Sequence, residues 1–334
     1  MADSQLEATV AASAFQKQWF ADLRRRVFDD RQPYALLQAD VPFELFDLVD
    51  IPAVSNQWWA AIVAAKRQAT KFLDAMDADD LHGDLCRYCS LGYASTRYAG
   101  AGEAPWGGLP TPRLLCARLT CDCIHRVFSL WAATFGAELF EIDHPGAGDL
   151  PPRWWELGRS RWRELVEPHR LAFVVSTLER LIERLEAISG RRLDRDALRE
   201  RLELVNQQEE VFDAVRHLIA AAPECPVRMT EQITNVMATQ WVRGSTWALA
   251  HARGSTTSAS SGSTGIPAPS SARSMNSRPV DAGLVRRGCS TNAASIRCAS
   301  ACSTIHSAAQ GGSCRYSLKL AVRLASAAIG SSRP

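Results

Sequence analysis

Apolar positions in the first thirty residues recur at helical spacing. Val10, Phe15, Trp19, Phe20, Leu23 and Val27 share a loose face, which predicts a helix over residues 5–30, with Arg24, Arg25 and Arg26 as solvated surface. Over 41–54, Pro42 opens a short helical turn and Pro52 closes the strand-like piece that follows it. Residues 57–78 return to helical periodicity, with Trp58, Ile62, Ala65, Phe72 and Met76 as core. Gly and Pro dominate 99–112, a loop. Residues 113–119 then predict a short buried strand, Thr120 to about Gly136 a helix, and 138–142 a second strand. A strand, helix and strand at this spacing form a βαβ unit, which favours a parallel sheet with helices on its faces. Ligands of such sheets sit beyond the C-terminal ends of the strands, where Cys121 falls.

From 152 to 252 the pattern is helical. Leu171, Val174, Val175, Leu178, Leu181, Ile182, Leu185 and Ile188 keep the three-and-four spacing of an amphipathic helix, and Gly190 ends it. Asp194 caps a second helix, with Leu193 and Leu198 placed as a hydrophobic staple. A third helix is expected from about Met229 to His251.

Past Gly254 the periodicity stops. Nineteen of the last eighty residues are Ser, and all ten Trp lie before residue 255. Residues 255–334 carry nine Lys and Arg against one acid, Asp281. That leaves 29 of the 38 basic and 35 of the 36 acidic residues in 1–254, a net of −6 under an overall +2. One reading is a natural basic tail touching nucleic acid or membrane. The reading adopted is a reading frame that slipped near residue 254, which makes Cys289, Cys298, Cys302 and Cys314 chemically meaningless. The organisation expected is 1–150, N-terminal helices and an α/β lobe carrying the cysteine motifs; 151–253, a helical segment; and 254–334, a disordered low-complexity Ser/Ala/Arg tail.

No run of 18 apolar residues suggests a membrane span, and the N-terminus lacks the basic start and apolar stretch of a signal peptide. A cytoplasmic chain with reduced thiols is expected, acting on neither nucleic acid nor membrane. Its cysteines then read as ligands or core residues rather than disulfides.

Two segments concentrate the candidate chemistry, each at an expected turn between elements. Cys86 and Cys89 form a CxxC, and Cys121 and Cys123 a CxC. Thiolates are soft ligands that suit zinc or an iron–sulfur cluster. Together the four could bind zinc as a Cys₄ site, while Cys89 and Cys123, with Leu91 and Ile124 close behind them, could equally be small core residues. Spacing leaves core, zinc and iron–sulfur open. Cys116 reads as core and Cys225 as a loop residue. His125, one turn into the helix after Cys121, is a surface histidine or a proton donor near a ligand. Asp122 suits a helix N-terminus without catalysis.

Taken in order, four stretches resemble the 2-hydroxyacyl-CoA dehydratase D-component family, which includes benzoyl-CoA reductase subunits. They are Val41-Pro42-Phe43-Glu44-Leu45 through Ile51-Pro52; Cys86-Arg87-Tyr88 with Gly92-Tyr93; Thr120-Cys121-Asp122 with Arg126, Phe128 and Phe140-Glu141-Ile142-Asp143-His144-Pro145; and the helical stretch Leu178 to Asn206. The resemblance covers about residues 35–250. It implies Rossmann-like α/β lobes flanking a [4Fe–4S] cluster held by three cysteines, of which Cys86 and Cys121 carry over. The third would lie in a second lobe that residues 255–334 do not resemble, so that lobe is expected to be missing or replaced by the tail and the chain truncated and inactive. Cys89 and Cys123 are extra to the family pattern. The resemblance further implies a CoA-thioester substrate, a related second subunit in a heterodimer, and an ATP-dependent iron–sulfur activator protein that delivers one electron at low potential. The reaction implied is radical elimination of a hydroxyl group, or ring reduction in the benzoyl-CoA branch. The alternative is a structural zinc-binding or helical interaction protein.

Overall fold

The computed structural model describes residues 6–81, 86–100, 102–143, 151–157, 161–225 and 227–262. Asp84, Leu85, His144, Pro145 and residues 263–334, with the four cysteines there and most of the expected tail, lie outside the described residues.

The chain begins with α1 (Glu7–Phe28), whose inner face buries Ala12, Phe20 and Leu23. Four short parallel strands form one sheet: β1 (Ala35–Leu37), β2 (Ala53–Ser55), β3 (Leu114–Arg118) and β4 (Glu138–Ile142), in the order β2-β1-β3-β4. Leu36 pairs with both Val54 and Leu115, and Cys116 with Phe140. The expected parallel α/β lobe is therefore present. From β1 the chain moves to one side of the sheet and from β3 to the other, so the strand order reverses between β1 and β3. In open α/β sheets that reversal opens a crevice at the strands' C-terminal ends.

Pro52 precedes β2 instead of closing a strand before it. It lacks an N–H, yet its carbonyl accepts from Ala35 at 2.9 Å, so it serves as the strand's lead-in. Between β1 and β2 lies α2 (Phe43–Leu48), started by Pro42 as expected. The helix expected over 57–78 is two helices, α3 (Asn56–Ala65) and α4 (Ala69–Ala78), separated where Arg67 adopts φ 57°. The first cysteine segment is likewise no open turn. Cys86 is the N-cap of α5 (Arg87–Arg97), whose Ser90, Gly92 and Ser95 are poor helix formers held by burial against α3. The second segment behaves as expected: Cys121 is the N-cap of α6 (Asp122–Phe135), which ends at Gly136 in the left-handed region. Trp58, Trp59, Phe20, Tyr93, Phe128 and Trp131 fill the core between these helices and the sheet.

The short α7 (Trp154–Leu157) leads to α8 (Pro168–Ser189), closed by Gly190 at φ 70°, and α9 (Arg195–Ala221), capped by Asp194. Leu193 and Leu198 are both buried at that start. The third expected helix is again two, α10 (Met229–Trp241) and α11 (Thr246–Gly262), broken at Gly244 with φ 72°. Helix α11 runs past Gly254 into the stretch read as tail. Arg243, in the break, is buried against Glu44 of α2 at 3.2 Å and so ties the helical layer to the lobe. Among the described residues no helix is long and apolar enough to cross a membrane.

Candidate functional site

The polar residues that follow each apolar strand meet at the C-terminal edge of the sheet. Gln38, one residue beyond β1, is buried and spans the reversal. Its backbone N–H donates to the Cys116 carbonyl at 2.9 Å, its Oε1 accepts the Arg118 N–H at 2.7 Å, and its Nε2 donates to Thr120 Oγ1 at 2.9 Å. These bonds fix the loop that delivers Cys121. From the β2 side, Gln57 Oε1 accepts the Ala39 N–H at 3.0 Å, and the Gln57 carbonyl accepts the Tyr88 hydroxyl at 2.7 Å.

Asn56 places α5. It is wholly buried and donates from Nδ2 to the Cys89 carbonyl at 2.9 Å. Gly92 passes so close that a Cβ there would stand 1.8 Å from Asn56 Oδ1, so only glycine lets α5 seat at this depth. Arg87, the first residue of α5, holds Asp77 of α4 through two bonds of 2.6 and 2.7 Å. On the far side Tyr93 meets Trp131 edge to face at 5.9 Å and shares a hydrogen bond with Thr134, which packs α5 on α6.

The outcome is two helix N-termini side by side, each opened by a cysteine. Cys86 and Cys121 are both exposed, Cys123 is half-buried and Cys89 is buried. Neither N-cap thiol bonds its own helix's amides, whereas Ser55 and Asp194 do so at the starts of α3 and α9. The Cys86 N–H donates to Cys123 Sγ at 3.1 Å across the gap between the helices. Cys89 lies near enough to Cys86, Cys123 and Cys121 for charge on any of them to oppose its ionisation. Ionisation of Cys123 is opposed in turn by charge on Cys86 and Cys121. The four cysteines therefore lie near one another at the starts of α5 and α6, with Cys89 buried beneath the exposed Cys86 and Cys121. Cys116 is core, and Cys225 is exposed in the approach to α10.

Burial drives the Cys89 thiol strongly upward, so it stays protonated at neutral pH. Burial also raises Cys123, against which the Cys86 N–H works by favouring the thiolate. The Tyr88 hydroxyl is pushed up to about 12, first by burial and then by Cys89 and Cys86. His125 Nδ1 is hydrogen-bonded to Glu141 at 2.5 Å, so this exposed histidine of α6 is held against β4 rather than free. Asp122 and Arg126 are exposed. Among the described residues no three His, Cys, Asp or Glu side chains are drawn together closely enough to hold a metal ion as they stand.

Sequence reasoning assigned no role to Cys89 and Cys123 and did not single out Gln38, Asn56 or Gln57. A usable signal existed: an Asn or Gln directly after a short apolar run marks the polar edge of a buried parallel strand. No curated protein matches the chain. The model of the family "2-hydroxyglutaryl-CoA dehydratase, D-component" matches residues 38–275, well over half of the sequence and all of the sheet beyond β1. The chain thus belongs to the 2-hydroxyglutaryl-CoA dehydratase D-component family, as one component of a dehydratase system acting on a CoA thioester.

Proposed function

We propose that this chain is the cluster-bearing subunit of a 2-hydroxyacyl-CoA dehydratase, with Cys86 and Cys121 as ligands of a [4Fe–4S] cluster. The supporting observation is the pair of exposed N-cap thiols at adjacent helix starts, joined through Cys89 and Cys123 at the mouth of a parallel sheet. The donor type suits the group, while among the described residues no three candidate ligands stand together as they are. Thiolates are the usual cluster ligands, and two helix N-termini favour an anionic centre. Both proposed ligands are exposed, so their thiols can turn about χ1 without disturbing the core.

The cluster would supply one-electron reduction of the thioester and a Lewis-acid pull on the departing hydroxyl. The protein's own part is orientation and exclusion of water. Gln38 and Asn56 fix the two loops, Gly92 sets the depth of α5, and Tyr88 covers the Gln57 side of the mouth while keeping its proton at neutral pH. A CoA thioester is the substrate class; a related second subunit and an ATP-dependent iron–sulfur activator are the partners this chemistry calls for. The chain acts in the cytoplasm.

Anaerobically purified or reconstituted protein should be brown, absorb near 400 nm and contain iron and sulfide in equal amounts. Cys86→Ala and Cys121→Ala should each lose the iron. Colourless protein with stoichiometric zinc, lost equally from the same variants, would replace this reading with a structural zinc site.

A further inference from the structure

The CxxC at the start of α5 is only half used by the function proposed above, which takes Cys86 and leaves Cys89 idle. We propose that Cys86 and Cys89 are a redox pair. In the iron-free chain they exchange with a small-molecule disulfide, such as glutathione disulfide, and close as a reversible disulfide within one helical turn. The exchange stands without the cluster reading. Its consequence rests on that reading: a closed pair withholds Cys86 from the cluster, so iron enters the reduced chain alone.

The placement of the two residues supports the pairing. Cys86 is the N-cap of α5, and Cys89 follows three residues on in the first turn. That turn is closed around them, since the Ser90 N–H donates to the Cys86 carbonyl at 2.9 Å. A helical turn sets residues three apart at about 5 Å between Cα atoms, inside the roughly 4.4–6.8 Å that a disulfide spans. A CxxC beside a βαβ unit is the usual setting of a reversible dithiol, and intracellular disulfides are mostly transient ones of this kind.

The two thiols are also unlike. Cys86 is exposed, whereas only 8% of Cys89 is. A disulfide in solution can reach the first sulfur, and the second is reached through its neighbour. That is the division between an attacking and a resolving cysteine. The residues between them are held elsewhere. Arg87 is bound to Asp77 at 2.6 and 2.7 Å, and the Tyr88 hydroxyl donates to the Gln57 carbonyl at 2.7 Å. Cys123 is the competing partner. Its sulfur accepts the Cys86 N–H at 3.1 Å, so a Cys86–Cys123 bond would give up that contact and link two helices. A Cys86–Cys89 bond stays within α5.

Two exchanges complete the oxidation. The Cys86 thiolate attacks one sulfur of the small disulfide, forms a mixed disulfide and releases the first small thiolate. Cys89 then loses its proton to solvent and attacks the Cys86 sulfur, which breaks the mixed disulfide and releases the second. The pair gives up two electrons, and the two small thiols carry them away with protons taken from solvent.

The test equilibrates the full iron-free chain anaerobically in glutathione buffers of rising disulfide content. Samples are quenched in acid, blocked with N-ethylmaleimide, and mapped as tryptic peptides by mass spectrometry. Cys86, Cys89 and Cys123 fall in separate peptides, ending at Arg87, Arg97 and Arg126. The peptides ending at Arg87 and Arg97 should be linked in more than half of the chains at the oxidising end, and parted again by dithiothreitol. Cys123→Ser should leave that yield within twofold, and Cys89→Ser should hold at least fivefold more glutathione on Cys86 than the unaltered chain. Cys86 still free at the oxidising end, or linked to the peptide ending at Arg126, would overturn the pairing. Iron uptake separates the two readings. The reduced chain should take up at least fivefold more iron than the linked chain, and equal uptake would overturn the gate. A link formed in a chain that takes no iron in either state would sink the cluster reading and leave the pair. Iron bound by a chain that never forms the link would do the reverse.

Discussion

Helices α3 and α9 begin differently from α5 and α6. At α9, Asp194 accepts from the amides of Asp196 and Ala197, and at α3 Ser55 accepts from Trp58, so both starts are closed on themselves. At α5 and α6 the corresponding positions hold Cys86 and Cys121, which cap nothing and face one mouth. A capping oxygen would add about 0.5–2 kcal/mol at each of those starts. The lobe forgoes that stability where its thiols converge and takes it elsewhere. Buried polar groups differ likewise. In the helical layer several are paired within the protein: Arg243 with Glu44 as an ion pair, and His251 with Asn235, which in turn donates to Thr9. At the mouth the thiols answer mainly to each other.

The largest expected effect falls on the closed side. Arg243→Met strands Glu44, 2% exposed, without its cation, and should lower the unfolding free energy by about 3–5 kcal/mol in urea titrations. If the loss is under 1 kcal/mol, the buried pair does not hold the helical layer to the lobe. Next is the seat of α5. Gly92→Ala drives a methyl into Asn56 and should cost about 3 kcal/mol, with loss of whatever iron the chain binds. An unchanged urea midpoint would show that α5 sits higher than described.

A smaller pair sharpens the contrast directly. Asp194→Ala should cost about 1 kcal/mol, whereas Cys121→Ser in metal-free protein should gain about 0.5–1 kcal/mol by closing an open helix start. If Cys121→Ser destabilises the metal-free chain, the start of α6 was not open.

The smallest effect is with pH. Burial lowers the His251 pKa, so the unfolded chain takes up this proton first as pH falls through the ordinary imidazole range. Stability from this residue is full above that range and declines below it, down through the folded-state pKa. His251→Gln should flatten the slope of the thermal midpoint between about pH 7 and pH 5, the side of the ordinary imidazole value near 6.5 on which a lowered pKa acts. An unaltered slope would place the acid sensitivity elsewhere.

What could be read from the sequence followed the strength of local signals. The β3–α6–β4 unit was legible because a five-residue apolar run, a strongly amphipathic helix and Gly136 all agree. The turn between α8 and α9 was legible because Gly190 and Asp194 each carry their own conformational preference. Strands β1 and β2 were not, because three residues show no periodicity and their pairing partners lie far along the chain. Helix α5 was hidden by its small polar residues, which only burial against α3 makes helical. The breaks at Arg67 and Gly244 were also hidden, since the apolar spacing carries across both. At the site, Cys86 and Cys121 stood out by type and spacing. That Cys89 faces inward while Cys123 accepts the Cys86 amide depends on how α5 and α6 lie together, which neither segment encodes alone.

The central claim is that the sulfurs of Cys86 and Cys121 bind one inorganic centre. Alkylation of iron-loaded and iron-free protein with iodoacetamide, read by mass spectrometry of the peptides ending at Arg87 and Arg126, tests it directly. The account predicts that both thiols react freely without iron and become protected together, in proportion to the iron bound, with Cys225 reactive throughout. Continued reaction of either Cys86 or Cys121 in fully loaded protein would contradict it.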